Sequence, residues 1–362
     1  MKYRLKDIFD LQMGKTPSRS NPDYWNTKDN KWISIADLTK TEKYILDTKE
    51  YLSDVAVKES GIKVIPANTV VMSFKLSIGK TAITKEQMYS NEAIMAFHDK
   101  HIVDILPEYI FYLFKHRNWD EDSNKAVKGK TLNKATLSKI EVEICAIEKQ
   151  REIVAVLDKM TLLLESRKNE IALLDDLIKA RFVEMFGDHR FNEYNFEKKM
   201  LRDTCKVVTG NTPSRAVNEY YGDYIEWIKT DNIVSGQLNP ITASESLSEE
   251  GMQVGRTVDE NAILMACIAG SVASIGRVCV TDRKVAFNQQ INAIVPQEYN
   301  TLFLYTLLQI SKNYLVEEIN MALKGILSKS KLEEKTFIVP PMELQDKFAD
   351  FVTQVDKSKV VA

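Results

Sequence analysis

The sequence predicts a mixed α/β (α+β) chain of two tandem, similar domains made of short strands and helices. Each domain is followed by a long coiled-coil-like spacer helix. The two helices are expected to pack antiparallel, with the domains related by a pseudo-two-fold axis. Three observations carry this reading. At 362 residues the chain exceeds the roughly 250 at which a single core stops growing. The motifs of its first half recur, in order, in its second. A proline-free stretch places Leu157, Leu164, Ile171, Ile178 and Met185 at steps of seven, the seam of a helix that needs a helical partner.

Composition narrows the class. Apolar residues make up 44% and charged residues 28%, as in ordinary soluble globular proteins. No apolar run approaches the ~20 residues of a membrane span, and no apolar core of a signal peptide follows Met1. Cys145, Cys205, Cys267 and Cys279 form no C-x-x-C pair and read as reduced thiols of a cytoplasmic protein. The formal net charge of −2 excludes a non-specific nucleic-acid binder, but not one whose charges segregate onto one face.

The repeat emerges when the chain is slid by about 196 residues. Gly14 to Arg19 ("GKTPSR") falls on Gly210 to Arg215 ("GNTPSR"), and Tyr24-Trp25 falls near Tyr220-Tyr221. "KWISIADL" from Lys31 falls on "EWIKTDNI" from Glu226, "SIGKTAI" from Ser77 on "SIGRVCV" from Ser274, and "NEAIMA" from Asn91 on "NQQINA" from Asn288. "AVKGKTL" from Ala126 falls on "ALKGILS" from Ala322, and "EKQREIVAVLDK" from Glu148 on "ELQDKFADFVTQ" from Glu343.

Each copy therefore has one anatomy. Pro17 and Pro213 make the Gly-x-Thr-Pro-Ser-Arg segment a loop. Strands are predicted at Trp32 to Ile35, Thr69 to Ser73 and Thr81 to Thr84, and at Ile225 to Ile228, Ala262 to Cys267 and Arg277 to Val280. Trp32 and Trp227 are expected in the core. Helices are predicted at Pro107 to Lys115 and Leu302 to Ser311. The domains span 1–146 and 195–341. The first spacer helix spans 147–187, about 40 residues or roughly 60 Å. The second, 342–362, is short by half. Its apolar face, Leu344 to Val355, covers only part of the seam, and the stripe nearest Leu174 to Phe186 is expected to be exposed, to self-associate or hold a partner.

Chemistry is read out of the chain by spacing. Gly-Lys-Thr occurs at Gly14 and at Gly79, yet a phosphate-binding loop needs a glycine five residues earlier, where Phe9 and Phe74 stand. There is no Asn-Pro-Pro-Tyr-like methyltransferase motif and no glycine-rich cofactor loop after a strand. His98 and His101 lack further ligands for a metal. No catalytic residue, cofactor or metal is expected.

Taken together, the paired loops, the paired Trp-Ile strands, "KGKTLNKATLSKIEVEICAIEKQREIV" from Lys128, "KGILSKSKLEEKTFIVPPMELQ" from Lys324 and "EMFGD" from Glu184 resemble the specificity subunits of type I restriction–modification systems, over almost the whole chain. The resemblance implies two target recognition domains reading an asymmetric bipartite site on double-stranded DNA. It also implies spacer helices that carry DNA methyltransferase subunits, two in number, which restriction subunits join. One departure is that Pro340-Pro341 precedes the second helix but Cys145-Ala146 the first, so entry into the first is expected to be less rigidly set. The alternative is a two-domain protein-binding scaffold that reads no DNA.

Candidate DNA contacts follow from residue chemistry. Lys15, Thr16, Ser18 and Arg19, with Asn211, Thr212, Ser214 and Arg215, offer donors to phosphates or base edges; a tight turn with a solvated arginine is the structural alternative. Lys128, Lys130 and Lys324 flank glycines and suit phosphates. Lys75, Lys80, Arg277, Gln289 and Gln290 lie mid-domain, where base reading should vary, glutamine suiting adenine and arginine guanine. Leu157, Leu164, Ile171, Leu174 and Ile178 are the candidate partner face of the spacer.

Overall fold

The computed structural model describes residues 1–361 apart from 26, 76, 120–131, 189, 272–273, 318 and 320–324. Lys128, Lys130 and Lys324 lie outside the described residues. The chain divides into two compact units, Met1–Leu164 and Glu165–Ala362.

In the first unit a five-stranded sheet runs in the order Phe9–Met13, Ile94–Asp99, Val70–Ser73, Thr81–Thr84, Tyr44–Ile45. The first four pair antiparallel and the last joins in parallel. A three-stranded sheet sets Asn30–Ile33 between Glu50–Leu52 (antiparallel) and Tyr89–Ser90 (parallel). Val70–Ser73 and Thr81–Thr84 are buried throughout, because both faces of the sheet are covered; hence they read as continuous apolar or β-branched runs rather than alternation. Helix Pro107–Lys115 packs across Thr81–Thr84. The predicted strand Trp32 to Ile35 ends at Ile33. Ser34 instead caps a helix, Ile35–Lys40, its backbone N–H donating to Asp37 Oδ2 at 2.8 Å.

The second unit repeats this topology. Its four-stranded antiparallel sheet runs Cys205–Thr209, Ile291–Pro296, Ile263–Ala266, Val278–Val280. A second sheet sets Ile225–Ile228 parallel to Val285–Phe287, as Asn30–Ile33 lies parallel to Tyr89–Ser90. Helix Thr301–Ile310 packs on Val278–Val280. Asn68 and Asn261 both take left-handed backbone, φ 57° and 66°, and each N–H donates to a threonine carbonyl, Thr84 or Thr281, at 2.7 Å.

The helix Ile147–Phe186 is 40 residues long. Its start is locked by Gln150, which is fully buried. The Gln150 amide accepts from Leu106 N–H at 2.9 Å and donates to Asp104 O at 2.8 Å and Cys145 O at 2.9 Å. Gln345 repeats the clamp at the start of Met342–Val361, accepting from Asn300 N–H at 2.9 Å and donating to Pro340 O at 2.8 Å. The entry lacking prolines is thus held by the same side chain as the entry that has them, against the expectation of a looser start.

The coverage of the seam is the reverse of the expected one. Ile178, Phe182 and Phe186 are buried in the second unit, where Phe348 meets Phe182 and Phe186 at ring-centroid distances of 5.4 and 5.7 Å. Further along, Lys359 Nζ reaches Asp175 at 2.7 Å, so the helix Met342–Val361 runs antiparallel on this stretch. Leu174 packs partly buried against the same core, and Ile171 is half-buried. Leu157 packs on the core of the first unit. Exposed apolar residues cluster instead at Val156, Met160, Leu162, Leu163 and Leu164, the last 61% exposed, while Leu173, Leu177 and Val183 are exposed beside the covered seam positions. The reason is geometric: an antiparallel helix that starts at the Phe186 end covers that end first.

Candidate nucleic-acid interface

The repeated loop is a clasp, built alike in both units. Gly14 lies so close to the neighbouring chain that a Cβ would fall 2.2 Å from Asn91 O; for Gly210 the same distance to Asn288 O is 2.2 Å. Only glycine fits either position. The next residue's backbone is held on both sides. Lys15 N–H donates to Ser90 O at 2.8 Å, and Lys15 O accepts the Trp32 indole N–H at 3.1 Å. Asn211 N–H donates to Phe287 O at 3.1 Å, and Asn211 O accepts from Trp227 at 3.3 Å. Both tryptophans are buried, as expected.

The clasp closes with its arginine. The Arg19 guanidinium lies 3.7 Å from the Trp25 ring centre and 4.9 Å from that of Trp32, and pairs through both amino groups with Glu50. Arg215 lies 4.3 Å over Tyr221 and 5.1 Å over Trp227, and pairs with Glu245 at 2.6 Å. The hydrogen bond to Glu245 holds Arg215 above its ordinary pKa. Both arginine side chains stay about half exposed, 50% and 55%, so each presents an edge outward while its plane is stacked.

At equivalent positions the two clasps present different groups. Thr16 Oγ1 donates to the Glu92 carboxylate, whereas Thr212 Oγ1 donates to the neutral Gln289 amide. The Thr16 hydrogen bond, aided by Lys75 and Arg19 nearby, keeps Glu92 below the usual carboxylate range. Lys15 Nζ reaches Ser60 O at 2.5 Å; Asn211 instead ties both ends of its amide to the backbone of Val254 and Arg256, at 2.9 and 2.7 Å. Where the first unit has Ser34, the second has Lys229, whose ammonium pairs with the same Glu245 that holds Arg215. That carboxylate, lowered first by Lys229 and then by Arg215, serves two cations.

The remaining candidates are spread more widely. Ser18 Oγ lies 2.8 Å from Ser20 Oγ, and Ser214 O accepts Val217 N–H at 3.2 Å, both turn-internal bonds. Lys75 Nζ sits 5.2 Å from the Phe74 ring centre and Lys80 is exposed. Gln290 N–H donates to Asn288 Oδ1 at 3.1 Å. Arg277 donates to Thr230 O at 3.1 Å and Ser274 O at 3.3 Å, in a cavity apart from the clasp. Thus the structure groups Thr16, Arg19 and Lys75 around Glu92, with the Lys15 side chain turned to Ser60 O, and Thr212, Arg215 and Gln289 in the second clasp. Sequence reasoning missed Trp25, Tyr221, Glu50, Glu245 and Lys229. The collinear Tyr24-Trp25 and Tyr220-Tyr221 pairs were the available signal for the stacking platforms.

Among the described residues no group of three or more His, Cys, Asp or Glu is placed to hold a metal, and no helix is long and apolar enough to cross a membrane.

Comparison with known proteins points one way. Residues 1–174, and again 193–360, match the family model of the type I restriction modification DNA specificity domain. The chain is 27% identical to the type I restriction enzyme MjaIX specificity subunit of Methanocaldococcus jannaschii, over 96% of this chain and 85% of that one. It is 30% identical to the type I restriction enzyme HindI specificity subunit of Haemophilus influenzae, over 41% of this chain and 33% of that one. The fold is similar to that of the S subunit of a type I restriction–modification system from M. genitalium, with a TM-score of 0.57 at 13% identity, covering 99% of this chain and 90% of that one. A chain in a solved structure of the type I R-M system is also similar, at a TM-score of 0.52 and 15% identity, covering 100% and 91%.

Proposed function

This chain belongs to the type I restriction–modification DNA specificity family, and from that premise we propose that it reads an asymmetric, two-part DNA sequence, one part through each repeat. It is the recognition subunit of a restriction–modification complex and performs no chemistry itself; methylation and cleavage belong to the methyltransferase and restriction subunits it assembles with. One observation carries the two-part reading: the clasps share a frame but differ at Lys15/Asn211, Glu92/Gln289 and Ser34/Lys229. Two frames of one shape with different donors and acceptors match two different half-sites. Arg19 and Arg215 offer their exposed edges to the DNA, and Gln289 and Gln290 suit adenine. Lys128, Lys130 and Lys324 supply phosphate contacts, which position without specifying.

The exposed apolar face at Val156, Met160, Leu163 and Leu164 is the surface we assign to the methyltransferase subunits, two per chain. Two copies of the chain associate through it when those subunits are absent. The test is selection from a random duplex library by the chain assembled with methyltransferase subunits. An asymmetric bipartite motif with a spacer of fixed length is expected, and replacing residues 195–341 by a relative's domain should change one half-site alone. A single contiguous motif, or no DNA preference, refutes the proposal and favours a protein-binding scaffold.

A further inference from the structure

Glu92 and Gln289 stand at the apex of one turn that is built twice. In the first unit Asn91 N–H donates to Ile33 O at 3.0 Å, Asn91 Oδ1 accepts Ala93 N–H at 3.0 Å, and Asn91 O accepts Ile94 N–H at 3.2 Å. In the second, Asn288 N–H donates to Ile228 O at 3.0 Å, Asn288 Oδ1 accepts Gln290 N–H at 3.1 Å, and Asn288 O accepts Ile291 N–H at 3.1 Å. The same bonds hold the backbone in both copies, and the apex residue is exposed in both. The frame is constant, and the group it presents is not.

The clasp's threonine orients each apex side chain. Thr16 Oγ1 donates to Glu92 Oε2, and Thr212 Oγ1 donates to Gln289 Oε1. The Thr16 bond, with Lys75 and Arg19 nearby, holds Glu92 ionised, so its remaining lone pairs can only accept. Gln289 keeps an amino group that donates and a second lone pair on Oε1 that accepts. DNA phosphates repel a carboxylate. On a surface that meets DNA, its partners are therefore donors on base edges, and in the major groove those are the amino groups of cytosine and adenine. Adenine sets its N7 acceptor beside the amino group, so it suits an amide and opposes a carboxylate. Cytosine offers the N4 donor alone, which suits a carboxylate.

We propose that Glu92 makes the half-site read by the first unit require a cytosine at one position, where Gln289 gives the half-site of the second unit an adenine. The assignment rests on the two-part DNA reading and adds to it which side chain sets which base.

The test is selection from a random duplex library by the chain assembled with methyltransferase subunits, as wild type, Glu92→Gln and Gln289→Glu. Glu92→Gln should replace one cytosine by adenine in one half-site, and Gln289→Glu one adenine by cytosine in the other. In competition the wild type should bind its cytosine duplex about tenfold tighter than the adenine counterpart, and Glu92→Gln should lose that preference. The unchanged positions of each motif serve as the check that the variant is folded. A two-part motif in which Glu92→Gln alters no cytosine, or a uniform tightening with no change of base, makes Glu92 a counter-ion of Lys75 and Arg19. Either result overturns the proposal and leaves the DNA reading standing. No motif from the wild-type chain overturns both.

Discussion

Replacing Gln150 by methionine tests how the domain is fixed to its spacer helix. Methionine nearly conserves volume and flexibility, so packing loss is small. What goes is the amide, with three hydrogen bonds of 2.8–2.9 Å in a fully buried site. Leu106 N–H loses its acceptor, and the carbonyls of Asp104 and Cys145 lose a donor. At about 1–3 kcal/mol per orphaned buried group, with carbonyls at the low end, the loss is about 3 kcal/mol. That is roughly 150-fold in the opening equilibrium. With two units, a single unfolding free energy is not well defined, so native-state hydrogen exchange is the assay. Amides of helix Pro107–Lys115 should lose about 150-fold of their protection while those of Thr301–Ile310 keep theirs; Gln345→Met should do the opposite. A loss below about fourfold, or equal losses in both units, would refute the clamp and with it the reasoning that the repeated glutamine sets each helix against its own domain.

Glu245→Gln should leave Arg215 and Lys229 without their shared counter-ion. Binding to random duplex DNA should tighten and its salt slope steepen by about one unit, whereas an unchanged slope means these cations do not face DNA. Leu163→Glu with Leu164→Glu should abolish assembly with methyltransferase subunits and keep both units folded, as read by light scattering and circular dichroism; assembly at full strength would place the partner elsewhere. His98 supplies a pH test. Burial lowers its pKa, against the opposing charge of Asp10, and the Nε2 atom is buried without a partner. The unfolded chain therefore binds more protons, and the first unit should lose stability as pH falls through about 6.5 toward the lowered folded value. His98→Gln should flatten that dependence, and an identical profile in the variant would assign the acid sensitivity to other groups.

Most of the fold was legible because its signals are local. The buried strands announced themselves as short β-branched runs, and the prolines of each loop as breaks. The direction in which the seam is covered was not legible. Heptads mark which face of a helix is apolar, but which end a partner covers depends on where the partner starts, and that was set by Phe186, Phe303 and Phe348 meeting in three dimensions. Strand ends were legible only as far as capping was: Ser34 with Asp37 turns the chain into a helix that a β-branched pattern alone runs past.

The candidate site was harder, for a reason contained in the repeat itself. A residue present in both copies does what both domains need, and the need two differently reading domains share is to fold. Gly14 and Gly210 admit a neighbouring backbone, Asn91 and Asn288 each accept from the N–H two residues on, and Gln150 and Gln345 clamp a helix. The residues that tell one DNA sequence from another must instead differ between copies, so they fall in the stretches where the alignment is weakest. Lys229, which stands where the first unit has Ser34, differs in this way; Glu50 and Glu245 are alike in both copies and belong to the frame. Nothing in their local sequence marks the two glutamates, and they became visible only when Arg19 and Arg215 were found reaching across their units to them. Arg19 and Arg215 belong to both classes at once: their stacked planes build the frame, and their exposed edges are what the frame presents.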